Sequence, residues 1–130
     1  MSLQQGMFGL LMQSAAGGGG IPSLDGRAVA MGQFSVETQT NSYTVNHGMG
    51  VAPEYVLVVI EGDETTSNHI TGMLVNPYGA LAVRRGSSGW TGSTFTPQID
   101  STSFVVQSSA TAHVLSAGAT FYWIALGPKS

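Results

Sequence analysis

From Arg27 onward the apolar residues of this chain recur at every second position, in short runs separated by Gly, Pro, Asn and Ser. Phe34 and Val36 alternate with Ser35 and Glu37, and Tyr43 and Val45 alternate with Thr44 and Asn46. That is the pattern of strands buried on one face only. Tyr55-Val56-Leu57-Val58-Val59-Ile60 is apolar throughout and rich in β-branched residues. Such a run suits a central strand covered on both sides. Further strands are expected over 70–75, 80–84, 93–96, 103–107, 112–115 and 119–126. Short strands at spacings of about ten residues, divided by turn-forming residues, predict an all-β chain folded as an antiparallel sandwich or jelly roll.

The last of these runs breaks the half-buried rule. Phe121, Trp123 and Ala125 fall on one face, and Tyr122, Ile124 and Leu126 on the other. One face should meet the core and the other water, yet neither is polar. The surplus apolar face, Tyr122, Ile124 and Leu126, is expected at a subunit interface, where aromatic residues are enriched and charges depleted. A covering loop from the same chain is the alternative.

Residues 1–26 follow a different pattern and are read as a separate segment ahead of a sandwich domain at 27–130. Leu3, Met7, Phe8, Leu10 and Leu11 form an apolar set consistent with a short amphipathic helix, although an extended segment fits as well. Gly17-Gly18-Gly19-Gly20 would stop a helix, because four glycines lose too much backbone entropy to continue one. Residues 21–26 read as linker and turn. An isolated helix of this length is marginal in water and needs a partner. The segment is therefore expected to anchor or bundle copies, or else to be a tail.

Charge narrows the function classes. Only 8% of the 130 residues are charged, against about 25% in ordinary soluble domains. So weakly charged a chain is expected to have much of its surface covered by other subunits, or to carry a neutral, hydroxyl-rich surface. The four basic residues, Arg27, Arg84, Arg85 and Lys129, are too few for a phosphate-binding surface, so no nucleic-acid partner is expected. There is no cysteine, which removes disulfides, thiolate metal sites and thiol nucleophiles together. Residues 1–13 hold no Lys or Arg ahead of the short apolar run Met7 to Met12, so no secretion signal is expected. No run reaches the roughly 18 apolar residues needed for a membrane-spanning helix.

Candidate chemistry is sparse. His47, His69 and His113 stand at no metal-ligand spacing such as HxxxH, and nothing supplies the companion roles of a catalytic set. Glu61, Asp63 and Glu64 lack the order of a calcium loop, and a pairing of acids with Asp100 cannot be placed at a working separation. The glycine run lacks the Lys and Ser/Thr of a phosphate loop. No catalytic residue, metal or cofactor is therefore expected. One segment suggests a ligand: Arg84-Arg85-Gly86-Ser87-Ser88-Gly89-Trp90, with Tyr78 nearby in sequence. An exposed tryptophan ring can stack on a sugar while arginines donate to hydroxyls or carboxylates. Alternatively, Trp90 folds back onto the sandwich edge.

Two stretches carry a resemblance. Tyr43-Thr44-Val45-Asn46-His47-Gly48-Met49-Gly50-Val51-Ala52-Pro53-Glu54-Tyr55-Val56-Leu57-Val58-Val59 is a strand, a His-Gly-x-Gly turn, a proline and a buried strand; Phe121-Tyr122-Trp123-Ile124-Ala125-Leu126-Gly127 closes the chain. Together they resemble a sandwich domain recurrent in bacteriophage tail-fibre and other virion proteins. More distantly, the chain is similar to the H-type lectins, six-stranded sandwiches that trimerise and bind sugars. The resemblance implies an H-type-lectin-like or jelly-roll sandwich, assembled as a homo-oligomer with a trimer favoured. It also implies a structural role in a virion (tail fibre, baseplate or head decoration), made in the host cytoplasm. The N-terminal segment would then meet other virion proteins and the sandwich would contact a host surface glycan. A free oligomeric lectin is the alternative.

Overall fold

The computed structural model describes residues 23–62, 69–86, 89–109 and 113–129. The expected anchoring residues Leu3, Met7, Phe8, Leu10 and Leu11 lie outside the described residues, as do the four consecutive glycines. The described residues form strands β1 (Ser23–Leu24), β2 (Arg27–Ser35), β3 (Tyr43–Asn46), β4 (Tyr55–Ile60), β5 (Ile70–Asn76), β6 (Gly79–Gly86), β7 (Gly89–Phe95), β8 (Ser103–Val106) and β9 (Thr120–Lys129). Seven of them make one antiparallel sheet in the order β1-β2-β9-β4-β5-β6-β7, and β3 with β8 makes a second of two strands. The expected all-β sandwich is present, with very unequal layers.

Its core lies between the sheets. From the large sheet come Phe34, Val56, Val58, Met73, Phe121, Trp123 and Ala125; from the small sheet come Val45, Phe104 and Val106; Val36 and Leu115 join them from the connections. Register explains which side chains meet. Val58 pairs with Trp123 on one side and with Met73 on the other, so three buried residues form one row across β9, β4 and β5. Phe34 stacks on Phe121 at 5.1 Å and on Tyr43 at 4.3 Å, joining the layers at one end. Phe104 meets the edge of Trp123 at 5.4 Å and an interplanar angle of 74°, a favoured aromatic geometry, and joins them in the middle. Trp123 lies so close to Gly32 that a Cβ there would come within 3.0 Å of the indole; the glycine makes room for the ring.

Several boundaries differ from the sequence expectation. Ser23 and Leu24 belong to the sheet instead of a linker. The turn Asp25-Gly26, with φ of 51° and 73°, closes a two-residue hairpin onto β2. Positive φ at both central residues is what the primed hairpin turns require, and Asp-Gly is among the sequences that supply it. β2 starts at Arg27 and ends at Ser35, so Val36 lies in the connection, where it exchanges backbone hydrogen bonds with Ala119 and Gly118. β7 begins at Gly89, earlier than residue 93, because β6 carries it in register through Gly86↔Gly89. The strand expected at 112–115 reduces, within the described residues, to single bridges at Val114 and Leu115.

The strand β4 is central in order but covered on one face only. Val56 and Val58 are buried, whereas Tyr55 and Leu57 remain 36% and 39% exposed. The expectation of cover on both sides is not met among the described residues, where the small sheet packs on the inner face of the large one. β9 follows the same rule: Phe121, Trp123 and Ala125 are buried, and Tyr122, Ile124 and Leu126 are half-buried on the outer face.

Candidate functional site

The outer face of the large sheet is the most distinctive surface of the molecule. Cross-strand register places Met31, Ile124, Leu57, Leu74 and Leu81 side by side on β2, β9, β4, β5 and β6. One row further along run Gln33, Tyr122, Val59, Gly72 and Val83. Neighbouring strands stand about 4.8 Å apart and side chains on one face repeat every second residue, so the first row is a continuous aliphatic stripe. Neither row contains a charge. Leu57, at the centre of the stripe, and Leu74 beside it are 39% and 43% exposed.

A glycine shapes this face. Thr71 is the extra residue of a bulge between β5 and β6, buried, with its hydroxyl donating to the Val83 carbonyl at 3.1 Å. Beside it, a Cβ on Gly72 would sit 2.8 Å from the Val58 carbonyl oxygen, so no other residue fits there without a backbone shift. The result is a shallow depression of about 360 Å³ bordered by Leu57, Val59, Leu74, Val83 and Trp90.

Charges gather at the margin. Arg27 donates to Glu54 at 3.0 Å and to the Gly127 carbonyl at 2.9 Å, and its guanidinium lies 5.0 Å from the centre of the Tyr55 ring. Lys129 pairs with Asp25 at 3.0 Å, more exposed than the first pair. An apolar centre with a polar margin is the anatomy of a protein interface.

The segment singled out as a ligand site is divided by the fold. Arg85 and Trp90 are cross-strand partners in the β6–β7 hairpin and share the outer face. Arg84 pairs with Ile70, whose side chain is in the core, so it points to the inner face. Tyr78, 97% exposed, sits on the β5–β6 turn. Trp90 and Tyr78 are thus at opposite ends of β6, roughly 23 Å apart at about 3.3 Å per residue. Trp90 itself is 64% exposed and does not fold back under the sheet. Of the four residues expected together, Arg85 and Trp90 are adjacent; Arg84 and Tyr78 are elsewhere.

The histidines take separate places. His47 accepts from the Met49 N–H at Nδ1 (3.1 Å), which leaves Nε2 to donate to the Asp100 carbonyl at 2.9 Å. Its ring stacks on Phe104, so it clamps two loops onto the core. His69 Nδ1 contacts the Ser116 hydroxyl, and His113 Nδ1 meets the Ser108 hydroxyl at 2.7 Å. The Asp100 carboxylate accepts from the Thr102 and Ser103 N–H groups, both at 2.8 Å, and from the Thr102 hydroxyl at 2.9 Å. These donors hold its carboxyl below the usual carboxylate range. Glu61 ends β4 through its N–H, which donates to Thr120, while Asp63 and Glu64 lie outside the described residues. Among the described residues no three His, Asp or Glu side chains converge as metal ligands.

Burial, and secondly the charge of Arg84, push the His113 imidazole below its ordinary value of 6.5. A base whose folded pKa is depressed takes up a proton more readily when unfolded. Its contribution to stability is therefore lost as pH falls below the unfolded value of 6.5, until the folded form is protonated too. Asp100 acts lower on the scale: its contribution is present above 3.8 and lost as pH falls through its depressed folded value. Thermal midpoints should drop as the pH falls from about 7.5 to about 5.5, and drop less in His113→Gln. An equal drop in both proteins would remove His113 from this account.

Signals for the outer face were present in the alternation of β9 and in the all-apolar β4. The part played by Met31, Leu74 and Leu81 was not legible, because only pairing places them in one row. No helix among the described residues is long and apolar enough to cross a membrane. Compared with protein-family models, curated proteins and solved structures, the chain has no match.

Proposed function

We propose that this chain is an assembly module of a phage-like particle (tail fibre, baseplate or head decoration), whose copies join through the outer face of the large sheet. The observation that carries the reading is the charge-free stripe Met31–Ile124–Leu57–Leu74–Leu81, uncovered among the described residues of a chain with 8% charged residues. The occupant is a second copy because the face has the right size and chemistry. Seven strands at about 4.8 Å, with about seven residues each at 3.4 Å, span about 800 Å², the area one partner contributes to a standard interface. The margin offers both signs of charge, so a second copy meets no wall of like charge. A trimer agrees with the resemblance to virion sandwiches, and the placement in a particle rests on that resemblance.

Methionine oxidation tests the face directly. Met31 lies in the stripe, Met49 packs against the core at the other side of the sandwich, and Met73 is buried. Raising the protein from about 0.1 µM to about 50 µM should slow oxidation of Met31 several-fold and leave the Met49 rate unchanged. A Met31 rate independent of concentration contradicts the reading.

A second reading, a free lectin, is favoured by one observation: Trp90 is exposed and directly opposite Arg85. It predicts a glycan-array signal that Trp90→Ala abolishes. A silent array leaves assembly alone.

A further inference from the structure

The two edges of the large sheet are unlike each other. At one end stands β1, two residues long and closed by the Asp25-Gly26 turn, with Lys129 paired to Asp25 beside it. Short edge strands and charges are the usual means of preventing unwanted pairing. At the other end stands β7, seven residues long. Its sequence, Gly89-Trp90-Thr91-Gly92-Ser93-Thr94-Phe95, has no charge and no proline, and every residue from Gly89 to Gly92 is exposed. β7 keeps register with β6 over its whole length without a bulge, so nothing twists the edge away. Among the described residues it carries none of the devices that guard the opposite edge.

We propose that β7 is a strand-addition edge, at which two copies of this chain pair antiparallel across a two-fold axis close to Gly92 and join their large sheets into one. The occupant is a second copy because an antiparallel edge is its own complement under a two-fold axis, the commonest symmetry of homo-oligomers. Side-chain placement agrees. An axis at Gly92, the midpoint of the strand, sets Trp90 of one copy opposite Thr94 of the other and diagonal to its Gly92. Diagonal neighbours are about 7–8 Å apart, within reach of an indole ring. Each exposed Trp90 then covers a gap left by a glycine, an arrangement that stabilises edge strands. No charge on either β7 opposes its counterpart. The contact is distinct from the outer-face interface and stands or falls separately. A chain with two self-contacts builds assemblies larger than a dimer.

The absence of cysteine gives a clean test in the full chain. Single substitutions Trp90→Cys, Thr91→Cys, Gly92→Cys, Ser93→Cys and Thr94→Cys are each exposed to mild oxidant, with Leu57→Cys reporting on the outer face and Glu37→Cys as an exposed control. Cysteines link when their Cα atoms lie about 4.4–6.8 Å apart, so only a position near the axis can link to its own copy. Disulfide dimer should peak at one position between Thr91 and Ser93, about tenfold above Glu37→Cys, and fall off toward both ends. Gly92→Cys must displace the Leu81 side chain, since a Cβ there would lie 2.8 Å from its Cδ1, so a mixture of Thr91→Cys with Ser93→Cys, which the axis sets opposite each other, carries the test by its mixed disulfide if that variant misfolds. Equal, low yields along β7 overturn the proposal. If Leu57→Cys links while β7 does not, the edge is excluded and the outer-face reading survives; linking near Gly92 without Leu57→Cys supports the edge.

Discussion

Replacing Phe104 with alanine should destabilise the folded chain by about 3–5 kcal/mol, the range for deleting a buried aromatic side chain. Phe104 is fully buried at the middle of β8. It touches both Trp123 of the large sheet and His47 of the loop after β3. The small sheet has two strands, so few other side chains hold the layers together there. Losing the ring leaves a cavity between rigid sheets that cannot collapse, and loosens the His47 clamp on Asp100. Domains have about 5–15 kcal/mol of stability in total, so the variant should lose about a fifth or more of it. The thermal midpoint should fall by roughly 10–20 °C for a domain of this size. Leu57→Ala removes half as many carbon atoms, from the partly exposed outer face, and should cost less than about 1 kcal/mol in dilute solution. Denaturant titration of both variants checks the contrast. Equal losses would mean that the outer face at Leu57 is packed as tightly as the core around Phe104.

The double variant Leu57→Lys/Leu74→Lys should have the opposite profile. Both side chains are exposed in the isolated chain and lie side by side at the centre of the stripe. Folding should be almost unaffected, because the lysine stems cover the neighbouring apolar surface while their charges stay in water. Association should weaken by about 100-fold or more. Each leucine, already more than half-buried, forgoes up to about 1 kcal/mol of further burial, and two ammonium groups would be trapped in a dry interface. Sedimentation across a concentration series reads this directly. A dissociation constant unchanged within a factor of about two would move the interface off this face.

Legibility in the sequence followed range of contact. Half-buried strands such as Tyr43–Asn46 and Ser103–Val106 were readable because period-two alternation is local. The Asp25-Gly26 hairpin carried a local signal too, but the preceding glycines and proline favoured a linker. The start of β7 was hidden because Gly89, Thr91 and Gly92 have no apolar alternation; only pairing with β6 makes them a strand. For Tyr55–Ile60 the alternation is saturated. An all-apolar run says that both faces want cover, and cannot say whether the cover belongs to the same chain. Arg84 and Arg85, adjacent in sequence, were grouped with Trp90 and Tyr78 although neighbours on a strand point to opposite faces. The His47–Asp100 bond joins loops 53 residues apart, and nothing in either segment announces the other.

The central claim is that the outer face of the large sheet is covered by further copies. Light scattering of the intact chain across dilution, from about 100 µM to about 1 µM, tests it most directly. The expected mass at the upper end is a multiple of 13.4 kDa, three copies being favoured, with a fall toward one copy on dilution. A mass of 13.4 kDa at every concentration would contradict it.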